Sequence, residues 1–177
     1  MLIRNYGLFW RRADVHWGWQ KNAGHLKGKL ITTPSSNPVD FRNQIGVYAL
    51  YDDNFKLVYF GQAGRGKGHK LFNRLKDHKN DRVSDRWSRF SWFGTRFVKN
   101  NNELSSEKTG FQGGATEVLD HIEAVVLAVS EPPHNRQGGR FGNKVEQYRQ
   151  FRDEDSLGVD ELTMLSEVYK QIVLDTK

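Results

Sequence analysis

Residues 46–78 read GVYALYDDNFKLVYFGQAGRGKGHKLFNRLKDH, and the rest of the chain is organised around them. Ile45 to Leu50 and Phe55 to Phe60 are two short runs of apolar and aromatic residues, separated by Asp52, Asp53 and Asn54, which favour turns. This pattern predicts a β-hairpin. Gly61, Gly64, Gly66 and Gly68 then make the chain too permissive to continue a strand, while Leu71, Phe72 and Leu75 open the apolar spacing of a helix. Arg74 and His78, four residues apart on that helix, project from one face about one turn from each other.

Gly46-Val47-Tyr48, ten intervening residues, Tyr59-Phe60-Gly61, and a helix bearing Arg74 and His78 together resemble the GIY-YIG nuclease superfamily. The likeness continues downstream: Glu123 lies in an apolar helical run, and Asn135 follows twelve residues later, after Pro132-Pro133. Val47 and Phe60 stand where isoleucines are commoner, which leaves the chemistry untouched, and Gln62 stands where some members carry lysine. The histidine on the arginine helix, with flanking extensions in place of a separate DNA-binding module, is closest to the restriction-enzyme branch.

The resemblance implies an α+β fold in which a small three-stranded antiparallel sheet is flanked by helices. It also implies a metal-dependent endonuclease that hydrolyses DNA phosphodiester bonds. In that chemistry a water must lose a proton, the phosphorane-like transition state must be stabilised, and the leaving oxygen must be helped away. Tyr48 would be the general base, although a free tyrosine, with a pKa of about 10, needs a nearby cation to act as phenolate near neutral pH. Arg74 would clamp the non-bridging phosphate oxygens with its planar fork of donors. Tyr59 would orient the water or bond the phosphate, and His78 would relay a proton or contact phosphate. Glu123 would hold one divalent metal, Mg²⁺ or Mn²⁺, and Asn135 would fix the site by hydrogen bonds. Outside such a context a strand tyrosine is commonly half-buried core, and a helix histidine is commonly a surface residue.

The 177-residue chain is 37% hydrophobic, enough for one well-buried core. No stretch approaches about 18 consecutive apolar residues, and Met1 to Tyr6 lacks the apolar run of a signal peptide, so a soluble cytoplasmic protein with no membrane partner is expected. The absence of cysteine removes disulfides and thiolate metal sites, leaving oxygen and imidazole as ligands. The formal net charge of +6 is unevenly spread. Between Gly61 and Asn100 eleven lysines and arginines face three aspartates. Within that stretch Arg65, Lys67, Lys70, Lys79, Arg82 and Arg86 are the candidate contacts to a phosphate backbone, and a solvated charged face is the alternative reading.

Around this centre the chain divides into an N-terminal aromatic and basic extension with its linker (1–40), a nuclease core (41–143) and a C-terminal helical extension (144–177). Leu2 to Trp10 and Val15 to Trp19 are strand-like, and Trp10, Trp17 and Trp19 with their neighbouring cations suit either packing on the sheet or stacking on an unpaired base. Thr32 to Asp40 reads as linker. Arg89 to Val98 predicts a third strand, Lys99 to Gly114 an exposed loop, and Thr116 to Val129 a buried helix carrying Glu123. Lys144 to Phe151 reads as a short helix, Asp153 to Asp155 as an acidic break, and the stripe from Leu162 to Val173 as a final amphipathic helix.

A DNA endonuclease in restriction, phage defence or DNA processing is the leading expectation, with double-stranded DNA as partner. RNA or single-strand cleavage and a catalytically silent nucleic-acid-binding module are the alternatives. A homodimer through the final helix would allow both strands of a palindromic site to be cut.

Overall fold

The computed structural model describes residues 2–18, 23–65, 68–106, 114–130, 141–142 and 144–152. The hairpin forms, with β4 (Gly46–Tyr51) antiparallel to β5 (Leu57–Ala63), although β5 runs on through Gly61 to Ala63, where the glycines were expected to end it, because β4 offers partners to its full length; β6 (Arg89–Gly94) pairs antiparallel with the other edge of β4. Both glycines that open and close this hairpin's triplets have steric causes. Gly46 has φ +149°, and a Cβ there would overlap the Phe93 carbonyl. A Cβ on Gly61 would come within 2.6 Å of the Tyr48 ring and hydroxyl.

The sheet does not stop at three strands. β1 (Asn5–Arg11) takes the free edge of β6, β7 (Glu146–Gln150) lies parallel to β1, and β2 (Lys27–Leu30) and β3 (Val39–Asp40) extend the far side. The order is β3-β2-β7-β1-β6-β4-β5, so the expected small three-stranded sheet flanked by helices is replaced by a seven-stranded mixed sheet. Two α-helices, α1 (Leu71–Asp77) and α2 (Ala115–Ser130), are present among the described residues. The cause lies in residues taken as extensions. Trp10 of β1 is buried against Phe41, Phe90 and Trp92, with its indole N–H donating to the Tyr148 carbonyl at 3.1 Å. Packing settles the alternatives for Trp10, whereas Trp19 lies outside the described residues.

The expected helix at Lys144 to Phe151 is also corrected, because its backbone pairs with β1 and β2 as β7. Of the strand expected at Val15 to Trp19, residues 15–18 form none; a single bridge joins His16 to His25 after a 3-10 turn at Arg12–Asp14, and Trp19 lies outside the described residues. A buried amide network ties the N-terminal strand to the centre of the sheet. Gln44 donates to Asn5 Oδ1 at 2.8 Å and accepts from the Arg96 N–H at 3.0 Å, satisfying polar groups that burial would otherwise penalise.

Alternation along β4 separates two cores. Tyr48 and Leu50 face α1, with Leu71, Phe72, Leu75, Phe90 and Trp92. Ala49 and Tyr51 face the other way, packing with Phe93 and with Ala124, Ala128 and Val129 of α2. The two helices therefore cover opposite faces of the sheet. No helix among the described residues is long and apolar enough to cross a membrane.

Candidate functional site

The α1 face gathers four of the expected residues. Tyr48 projects from β4 over Gly61, Tyr59 projects beside it from β5, and the helix delivers Arg74 and His78. The Tyr48 hydroxyl lies 2.8 Å from His78 Nε2, and His78 Nδ1 lies 2.6 Å from Asp81 Oδ2. An ionised carboxylate only accepts, so in the neutral imidazole Nδ1 carries the proton and Nε2 accepts from the tyrosine. The resulting chain, Tyr48 to His78 to Asp81, was not anticipated beyond its first two members. Its signal in the sequence is small: an aspartate three residues beyond a helix-terminal histidine, in the turn-rich run KNDR.

Burial governs the electrostatics. Tyr48 is 0% exposed, and this burial pushes its hydroxyl up to about 12, although the Arg74 guanidinium pulls in the opposite direction. Near neutral pH Tyr48 therefore keeps its proton in the free protein. Desolvation would raise the Asp81 carboxyl, but bonds from the Val83 N–H and from His78 outweigh it and hold the group below its ordinary value. Asp81 is thus ionised wherever the relay would work. Partial burial lowers Arg74, and the neighbouring Tyr48, Tyr59 and Asp77 more than restore it, leaving a firmly charged guanidinium. Arg74 is only loosely held by Asp77 at 3.4 Å and keeps 26% of its side chain exposed, so an incoming phosphate can take it over.

His78 is fixed from behind as well. Its carbonyl accepts from the buried Trp87 indole at 3.0 Å, and its ring centroid lies 4.5 Å from that of Tyr59. Of the expected phosphate contacts, Arg65, Arg82 and Arg86 are exposed, Lys70 and Lys79 are half-buried, and Lys67 lies outside the described residues.

Glu123 is not brought to this cluster. It is exposed on α2, whose buried side packs on Ala49 and Tyr51 and whose His121 Nδ1 accepts from the Ile3 N–H at 3.2 Å. Asn135 lies outside the described residues. The donor set around Arg74 does not suit a divalent cation: both His78 nitrogens are engaged, a guanidinium stands beside them, and no group of three His, Asp or Glu residues assembles among the described residues. Beside α2 lies instead an apolar groove of about 500 Å³, lined by Val47, Phe60, Ile122 and Val126. Comparison with protein-family models, curated proteins and solved structures yields no match, and the reading of the site rests on its own geometry.

Proposed function

We propose that the chain is a phosphodiesterase of the GIY-YIG kind acting on DNA, with its reaction centre on the α1 face. The hydrogen-bonded Tyr48–His78–Asp81 chain beside Arg74 carries this reading. Water attacks phosphorus as it gives a proton to the Tyr48 oxygen, while the Tyr48 proton passes to His78 Nε2. The imidazolium so formed is balanced by the Asp81 carboxylate. A concerted relay answers the raised Tyr48 hydroxyl, because no free phenolate has to accumulate. Arg74 takes the charge that grows on the non-bridging oxygens, Tyr59 orients the water, and the departing oxygen takes its proton from solvent. No step is routed through a metal. The surrounding basic stretch would draw the strand in, and a cytoplasmic setting fits a chain without cysteine.

A second reading, a binding module without turnover, is favoured by one observation: the complete burial of Tyr48 leaves Arg74 and Tyr59 as the groups a strand meets first. Purified protein is incubated with supercoiled plasmid and with a single-stranded oligonucleotide, each with magnesium or with chelator. Nicking or linearisation that is lost in Tyr48→Phe and Arg74→Ala supports the phosphodiesterase. Binding of both substrates without cleavage under any condition overturns it in favour of the module.

A further inference from the structure

A second cationic site lies where the N-terminal segment meets the end of α1. A cavity of about 470 Å³ opens there between Arg12, Trp17, Lys79, Trp87 and Arg89, with Asp53 the one carboxylate among the described residues of its lining. Arg12 is held rigidly: its Nη1 donates to the Ser84 carbonyl and, at 3.3 Å, to that of Trp87, and its guanidinium lies 4.6 Å from the Trp87 ring centroid. Among the described residues those bonds use Nη1 alone, leaving the Nε and Nη2 edge of the fork for a bidentate acceptor. The Lys79 ammonium sits 4.7 Å from the Trp17 ring centroid, and the Trp17 indole N–H donates to the Arg12 carbonyl at 3.2 Å, locking the two walls together.

The cations repel one another. Burial lowers Lys79 first, and Arg12 and Lys76 lower it further. No salt bridge to Arg12 or Lys79 is found among the described residues. Holding like charges together on fixed supports costs free energy that an anion would return. Position completes the argument. Lys79 follows His78 directly, and Trp87 joins the two sites by donating to the His78 carbonyl. Strand phosphates recur about every 3.4 Å along a duplex axis, so a bound strand offers further phosphates besides the one at Arg74.

We propose that Arg12 and Lys79 bind a backbone phosphate of the nucleic-acid strand other than the scissile one, so that the N-terminal segment is part of the substrate-binding surface. This extends the phosphodiesterase reading, yet it is tested by binding alone. Fluorescence anisotropy with a labelled duplex oligonucleotide across a salt series compares the full chain with Lys79→Ala, Lys79→Glu and Arg12→Lys. The neutral variant should weaken binding about threefold to tenfold and reduce the salt slope by about one, the acidic variant should weaken it more, and Arg12→Lys should lose affinity although its charge is kept. Because Lys79 makes no structural ion pair among the described residues, folding should survive its change, which circular dichroism checks. An unchanged affinity and slope in both Lys79 variants overturns the proposal, even if the plasmid is cut. If the slope falls while no substrate is ever cleaved, the phosphate site stands and the phosphodiesterase reading falls.

Discussion

The two faces of the sheet around β4 carry different kinds of residue, although they are built from alternate positions of one strand. On the α1 side Tyr48, Tyr59, Arg74, His78 and Asp81 meet within hydrogen-bonding and ring-contact distances. On the α2 side the groove is apolar, and Leu119, Ile122 and Val126 remain exposed, at 65%, 51% and 57%. A tyrosine on the first face is hydrogen-bonded to a buried histidine, while the glutamate on the second projects to solvent. One residue of register separates the hydrogen-bonded polar cluster from apolar packing here, because side chains along a strand alternate between faces.

The largest effect belongs to the relay. His78→Ala removes both the acceptor for the Tyr48 proton and the link to Asp81, and plasmid cleavage should fall by about 10²- to 10⁴-fold. Oligonucleotide affinity, measured by anisotropy, should change little, which separates loss of the relay from loss of binding. If His78→Ala cuts as well as the parent chain, the α1 face loses its claim to the chemistry.

Gly61→Ala sharpens the comparison through packing. The added methyl would meet the Tyr48 and Tyr59 rings on the α1 side, and the Tyr48 ring is fully buried. Overpacking of this kind costs about 1–3 kcal/mol, to be read from the denaturant midpoint, and displaced tyrosines should lower cleavage as well. The same burial gives an alkaline signature. A hydroxyl raised from 10 to about 12 in the folded state stabilises the fold fully below pH 10 and loses that contribution as pH climbs from 10 towards 12. Tyr51, raised in the same way on the opposite face, adds to the loss, so unfolding midpoints should drop steeply over this range.

Asp81→Asn is milder. The amide oxygen can still accept from His78 Nδ1, but the charge that balances the imidazolium is gone, a difference of about 1 kcal/mol and so about fivefold in rate. Because the Asp81 carboxyl is held below its ordinary value, its contribution is complete above the usual carboxylate range and fades as pH falls through the depressed value. A rate profile measured towards acid should therefore lose that limb in Asp81→Asn.

Much of the α1 face was legible in the chain. Alternating apolar runs around a turn announce β4 and β5, the spacing of Leu71, Phe72 and Leu75 announces α1, and i, i+4 spacing puts Arg74 and His78 together. What escaped was decided by distant partners. The β7 sequence EQYRQ has one apolar residue, Tyr148, and no alternation to declare a strand; it is one because β1 and β2 offer their edges. β1 bends at a register shift, with Phe9 at φ +53°, a conformation that a side chain seldom adopts and that local propensity cannot anticipate. Asp81 reads as one more surface acid until the folded turn brings it under His78.

The smallest effect is expected on the α2 face, where Glu123→Ala should change stability by no more than about 0.5 kcal/mol, as for an ordinary exposed position. Its bearing on cleavage is the sharper part. Periodicity in Thr116 to Val129 marks a helix, but not the buried one expected, since Leu119, Ile122 and Val126 stay exposed, and it holds no information about which side of the sheet that helix will cover. A carboxylate ligand must lie about 2.0–2.6 Å from its cation. With β4 between them, Glu123 and Arg74 cannot serve one phosphate unless α2 leaves Ala49 and Tyr51. Plasmid cleavage by Glu123→Ala should therefore match the parent chain at equal magnesium. A loss as deep as that of His78→Ala would break the separation of the faces, because it would require the buried side of α2 to come away from the sheet whenever substrate is bound.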